Sequence, residues 1–295
     1  MKLILQQAES LYDWGEIIEV ILILIACFAL PYFMIFLFPG KRRLFKAQQS
    51  FRKGEYNEAK SLFTKCLEKD PQHIRLKLCL ADVELRLKNY DNAIKFSNDF
   101  IRNEPENFEG FMILASVYGA IENYDLCLYY INVALEKNPP RTHKYALLIN
   151  KGIVESETGD NEEALKTYLK AIEELENDYT VYNNIGYTYL KIKKYNESIP
   201  YFDKSIKLNP KFAYSYNNRA FANANLGNFD SAFEDFRTSI LLDPSNHYLY
   251  KFRGLAYFKL GKLSEAKENL EKALQMHPKF KDELTPILAE ISKET

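Results

Sequence analysis

A proline returns in this sequence every 34 residues, at Pro71, Pro105 and Pro139 and again at Pro210, Pro244 and Pro278. Between the two runs Glu176 holds the proline's place, and three extra residues, Thr142 to Lys144, restore the phase. The segment Tyr179 to Phe212 shows what one period contains. Tyr182, Ile185, Tyr189 and Ile192 recur at helical spacing. Ile199, Phe202, Ile206 and Leu208 do so again after the polar pair Lys193-Lys194, and Asn209-Pro210 closes the unit. Two apolar stripes parted by a short polar break predict an αα-hairpin. A single hairpin cannot bury both of its faces, so the copies must stack.

Two positions are small in every copy. The position of Gly186 reads Ala47, Ala81, Ala115, Gly152, Gly186, Ala220 and Gly254; that of Ser198 reads Ala59, Ala93, Cys127, Ala164, Ser198, Ala232 and Ala266. Small side chains there let paired helices approach. Bulky ones flank them: Phe63, Tyr168, Phe202, Phe236 and Leu270 at one position, Tyr56, Tyr90, Tyr124, Tyr195 and Phe229 at another. The period, the small pair, the aromatic-then-small pattern of the second helix and the terminal proline together resemble the tetratricopeptide repeat family. Phe100, where a small residue is usual, and Arg43 and Lys77, where an aromatic is usual, depart from it in the first two units.

The resemblance implies an all-α fold, a right-handed superhelical solenoid of seven hairpins over 40–73, 74–107, 108–141, 145–178, 179–212, 213–246 and 247–280. Residues 281–295 carry Leu284, Ile287, Leu288 and Ile291 on one face and are expected to form a capping helix over the last hairpin.

The chain before the repeats is of another kind. Residues 1–16 form a short acidic leader, and 17–39 read as one transmembrane helix: Val20 to Phe38 contains no charge. At about 1.5 Å per residue such a stretch approaches the ~30 Å hydrocarbon thickness. A cleaved signal would want a basic leader, whereas Glu9, Asp13, Glu16 and Glu19 outnumber Lys2. Leu24 to Cys27 resembles a lipoprotein cleavage site, yet apolar residues follow the cysteine where a polar tether is expected. Lys41, Arg42, Arg43 and Lys46 come directly after the span. By the positive-inside rule they put the N-terminus outside and the array in the cytoplasm, at a bacterial plasma membrane or an organelle surface.

With 39 Lys and Arg against 40 Asp and Glu the net charge is −1, which gives no general pull toward nucleic acid. The four cysteines, Cys27, Cys66, Cys79 and Cys127, lack CxxC spacing, and the last three fall at helical positions, as buried thiols in a reducing compartment would. His73, His143, His247 and His277 lie at junctions between units, and no phosphate loop, HExxH or GxSxG is present. No enzyme activity, cofactor, metal or small-molecule substrate is therefore expected.

In the family the first helix of each hairpin lines a concave groove, and asparagines there can bind the main chain of an extended peptide, because an amide offers donor and acceptor together. Asn150, Asn184 and Asn218 hold one such position in three successive units. Asn183 and Asn217 stand beside them, with Lys251 one unit on, and Tyr187, Tyr214, Phe221 and Tyr248 would add contact area. A two-carboxylate clamp for acidic C-termini is not expected, since Asn183 and Tyr187 stand where Lys and Asn would be needed. Arg219 and Arg253 occupy a position that holds Ile185 one unit earlier; a charge there needs a partner, and Asp235 is the candidate for Arg219. The sequence thus describes a membrane-anchored adaptor for a protein or peptide. The alternative is a non-catalytic subunit of an envelope or secretion complex, whose Glu19 and aromatic Phe28–Phe38 half-span would meet other membrane helices.

Overall fold

A computed structural model describes residues 39–294. Among these there are fifteen α-helices and no strand. They are α1 Pro39–Arg52, α2 Tyr56–Leu67, α3 Ile74–Arg86, α4 Tyr90–Asn103, α5 Phe108–Ala120, α6 Tyr124–Glu136, α7 Arg141–Thr158, α8 Asn161–Glu174, α9 Tyr179–Lys191, α10 Tyr195–Leu208, α11 Ala213–Asn225, α12 Phe229–Leu242, α13 His247–Lys259 and α14 Leu263–Met276. A 3-10 turn at Pro278–Phe280 and α15, Lys281–Glu294, follow. The apolar stretch read as a membrane span lies outside the described residues but for its last, Pro39. Among the described residues no helix is long and apolar enough to cross a membrane.

The chain divides into two compact units between Glu122 and Asn123. In each, consecutive helices pair as hairpins, and the first helices of successive hairpins lie side by side, α3 with α5 in one unit and α7, α9, α11 and α13 in the other. A left-handed residue sits at the same place in the turn of each hairpin: Gly54, Lys88, Glu122, Gly159, Lys193, Gly227 and Gly261 all have positive φ. Four of these are glycine, which adopts that conformation without steric cost. Directly after the turn come the aromatics Tyr56, Tyr90, Tyr124, Tyr195 and Phe229, each the first residue of its helix.

The small positions are contact points. A Cβ added to Gly152 would stand 2.5 Å from the Tyr168 ring, one on Gly186 2.6 Å from Phe202, and one on Gly254 2.7 Å from Leu270. The opposite small position is sealed, with Ala59, Ala93, Ala164, Ser198, Ala232 and Ala266 all at 0% exposure. Phe100, the bulky departure, is accommodated rather than displaced: it is 0% exposed, and Gly110 on the next helix would bring a Cβ within 2.9 Å of its ring. The corresponding pairs further on are Ala171 with Val181 and Ser205 with Ser215, so the second position carries a side chain where the first is small. Thr142 to Lys144 are absorbed as added helix, for α7 runs 18 residues where its counterparts run 13. Lys144 and Arg141 tie that extra length to Glu174 and to the Glu173 carbonyl of α8. At the C-terminus α15 covers the last hairpin: Leu284 and Ile291 are fully buried against a core that includes Leu270, Ala273 and Phe280.

Candidate functional site

The face made by α7, α9, α11 and α13 carries every candidate binding residue. One residue in three or four along each helix points the same way, so Tyr214, Asn217 and Phe221 share one face of α11. Asn150 is exposed and Asn184 half-buried, and neither amide has a partner among the described residues. Asn218 departs from the expected series. It is 5% exposed, and its Nδ2 donates to Asn183 Oδ1 at 3.0 Å. Asn183, 9% exposed, also accepts from the Ser215 hydroxyl at 3.2 Å. Ser215 Oγ lies 2.7 Å from Ser205 Oγ, which donates to the Tyr179 carbonyl at 2.7 Å. This buried network fastens α9, α10 and α11 together, so Asn183 and Asn218 are struts and the outward series shortens to Asn150 and Asn184.

Asn217 is buried as well, at 0% exposure, but neither its Nδ2 nor its Oδ1 has a partner among the described residues. The register explains why. Moving 34 residues on from Asn183, Ser215 and Asn218 gives Asn217, Leu249 and Phe252. The two groups that satisfy Asn183 have become apolar.

The aromatic residues do come together. Tyr187 is pushed up to about 12, first by burial and then by the Tyr248 hydroxyl and the carboxylates of Glu157 and Glu283. Tyr248 is raised by burial first, then by Glu157, Glu283 and Tyr214. Tyr187, Phe221 and Tyr248 pack against one core cluster, and Tyr214 packs against Phe212 at the start of α11. Phe221 stacks on Phe252, centroids 4.2 Å apart. Lys251 is not available to a partner. Its ammonium sits 2.6 Å from Glu283 and 4.6 Å over the Phe280 ring, and its side chain is 12% exposed. The C-terminal helix has taken the one basic side chain that the sequence placed on this face.

Other features lie outside what the repeat pattern signals. His247 and His277, at opposite ends of the last hairpin, stack with centroids 4.4 Å apart, and His247 is lowered by burial first and then by His277 and Lys251. In the N-terminal unit two cavities, of about 190 and 230 Å3, share Cys79 and Asp82 and extend to Phe51 on one side and Met112 on the other. The signal for them was present in the sequence, because Cys79 and Ile113 stand where Asn150, Asn184 and Asn218 stand further on. Burial raises the Cys79 thiol above its ordinary range. Among the described residues no group of three or more His, Cys, Asp or Glu could hold a metal ion.

Family models described as tetratricopeptide repeat match residues 50–116, 145–174, 179–212, 201–234 and 247–280, together more than half of the chain. No curated relative matches it. Among solved structures, the APC/C hetero-tetramer Cut9–Hcn1 is similar with a TM-score of 0.68 at 15% identity, over 83% of this chain and 48% of that one. The chain thus spans about half of that relative's length. A tetratricopeptide repeat protein from Parabacteroides merdae is similar with a TM-score of 0.67 at 18% identity, over 86% of this chain and 98% of that one. PilW, described as a type IV pilus biogenesis factor, is similar with a TM-score of 0.64 at 18% identity, over 72% and 97%. Likeness at such identities concerns the fold.

Proposed function

The chain belongs to the tetratricopeptide repeat family, and from that premise we propose that it is a non-catalytic scaffold that holds an extended segment of a partner protein against the α7–α9–α11–α13 face. The observation that carries this reading is the pair of unpartnered amides, Asn150 and Asn184, standing on a face whose other asparagines are buried and which also carries Tyr187, Tyr214 and Tyr248. An amide free on both sides takes the N–H and C=O of a strand-like segment, and the aromatic side chains give it apolar cover without a large loss of rotamer freedom. Phosphate or carboxylate tails are poor candidates for this face, because Lys251 is held by Glu283.

The same proposal places the scaffold at a membrane through residues 17–39, with the array on the cytoplasmic side. Its support is the uncharged run Val20 to Phe38 and the basic cluster that follows it. A second reading, a subunit that also binds multi-span proteins through this segment, is favoured by Glu19 within the span's first turns. The test of the first reading is photocrosslinking from position 214 in cells, identification of the captured protein, and measurement of its affinity for the purified chain. The double variant Asn150→Ala, Asn184→Ala is expected to bind about 5- to 100-fold more weakly, at about 0.5–1.5 kcal/mol per lost hydrogen bond. Unchanged affinity rejects this face as the site. Co-purification of multi-span proteins that is lost on replacing residues 17–39 favours the second reading. Digestion of residues 41–295 by protease added outside intact cells rejects the cytoplasmic placement.

A further inference from the structure

The opposite side of α11 and α13 holds a pair of wedges whose charges differ in sign. Tyr216, Arg219 and Asn223 lie two residues on from Tyr214, Asn217 and Phe221, about 200° round the helix. With α10 and α12 they line a cavity of about 420 Å3 that also contains Asp203, Glu234 and Asp235. All three nitrogens of Arg219 donate there. Its Nε and Nη2 each donate to Asp235 at 2.8 Å, and Nη1 donates to Asp203 at 2.5 Å. The expected partner of Arg219 is thus Asp235, joined by a second carboxylate from the preceding hairpin.

One repeat later the arginine is kept and both carboxylates are gone. Arg253 follows Arg219 at 34 residues, Arg237 stands in place of Asp203, Asn269 in place of Asp235 and Lys272 in place of Thr238. Arg253 Nε donates to Asn269 Oδ1 at 2.7 Å, and Asn269 Nδ2 is in turn held by the Glu265 carbonyl at 2.7 Å. Asn269 is 4% exposed, so it is a fixed and neutral acceptor. The Tyr250 ring collects the cations: Arg253 Cζ is 5.6 Å and Lys272 Nζ 4.0 Å from its centroid. Glu268, in the place of Glu234, is exposed, and among the described residues no carboxylate pairs with Arg237, Arg253 or Lys272. Arg253 and Lys272 thus meet on one ring, and Arg237 holds the register position from which Asp203 reaches Arg219 one repeat earlier; Arg253 is half-buried, and its terminal nitrogens donate to no described residue.

We propose that the wedge of Arg237, Arg253 and Lys272 on Tyr250 is an oxyanion site, which takes a carboxylate or phosphate group carried by a partner protein. A planar guanidinium with two free nitrogens matches such a group in bidentate fashion, and the two further cations complete its neutralisation. The site is separate from the α7–α9–α11–α13 face and does not depend on it.

The test uses the full chain and two fluorescent probes, hexaglutamate and a neutral hexapeptide bearing one phosphoserine, with the unphosphorylated peptide as control. Binding of at least one probe, weakened by added salt, is expected. The double variant Arg237→Asp, Asn269→Asp rebuilds the Arg219 pattern around Arg253; it should bind at least tenfold more weakly and melt no lower than the parent. Arg253→Gln gives an independent loss should the double variant fold poorly. Lys194→Ala, at an exposed position outside both faces, should leave probe binding unchanged. Hexaglutamate alone identifies acidic side chains as the source, and the phosphopeptide alone a phosphoryl group; either supports the site. Absence of binding by both probes, or binding indifferent to both sets of variants, overturns it. So does salt-sensitive self-association abolished by the double variant, which would make the acidic wedge of a second copy the occupant.

Discussion

Asn183 and Asn217 hold the same place one repeat apart, and both are buried, yet they stand in opposite relation to the fold. Asn183 accepts from Ser215 and Asn218 and anchors a network across three helices. Asn217 faces the positions where Leu249 and Phe252 have replaced those donors, and both of its polar atoms are orphaned among the described residues. Two other positions show the same divergence. Glu84 is 2% exposed but is met by Lys60 at 2.8 Å and Asn89 at 2.7 Å. At the corresponding place Glu155 has one oxygen with no hydrogen-bond partner among the described residues, and Lys151 lies 3.8 Å from the other. Arg219 has two carboxylates and Arg253, among the described residues, none. In a repeat protein the residue type at a position says little about its energetic role until its neighbours in space are known: they stand 32 and 35 places on for Asn183, 24 places back and 5 on for Glu84, and 16 places to either side for Arg219.

The comparison can be broken most severely at Asn183. Asn183→Ala strips two buried donors of their acceptor and should cost about 2–4 kcal/mol, summing about 1–3 for each unsatisfied group with allowance for coupling. Urea unfolding measures it, and a cost below that of an exposed substitution would dissolve the distinction drawn here. Gly186→Val probes the close contact in the same repeat. Its new side chain meets the Phe202 ring, so overpacking should cost about 1–3 kcal/mol, against about 0.5 or less at exposed Lys194.

Asn217→Leu sharpens the contrast, since it has the opposite sign. Removing an orphaned amide in favour of a near-isosteric apolar side chain should stabilise by about 1 kcal/mol. A loss equal to that of Asn183→Ala would mean that Asn217 has a partner after all. Glu155 gives the smallest effect and the one that depends on pH. Burial, its largest influence, raises its folded-state pKa above the ordinary value, against the pull of Thr167 and Lys151. The folded chain therefore holds this proton more tightly than the unfolded chain. Stability is gained as pH falls through the raised value toward the ordinary carboxylate range, and lost as pH rises through the same window. Glu155→Gln should remove that part of the pH dependence, with a higher melting temperature than the parent at pH 7 and no difference below the ordinary carboxylate range.

Much of the fold was legible because it is local. Hairpin spacing, the turn between helices and the small positions at Gly186 and Ser198 repeat within each unit, and the structure places Phe202 and Tyr168 where those small residues require them. The expected pairing of Arg219 with Asp235 was legible for the same reason, as both belong to one hairpin. The candidate face was read less completely. Asn150, Asn184 and Asn218 are identical in sequence register, but Asn218 turns to Asn183 in the neighbouring hairpin. Lys251 was expected to line the groove, and its ammonium is met by Glu283 of the capping helix, a contact that no repeat pattern contains.

By itself the sequence determined the helical hairpin, its period, the number of copies and the residues that must be small, since these follow from side-chain size and from the 3.6-residue turn of the helix. It also marked residues 17–39 as a different material, through the length of the run Val20 to Phe38 and its lack of charge. Only the tertiary structure decided that Gly110 makes room for Phe100, which asparagines are struts, and which arginine lacks a counter-charge. Those outcomes depend on which side chains from adjacent hairpins come within about 3 Å of one another, and the strength of a buried polar group is set by that encounter rather than by the group itself.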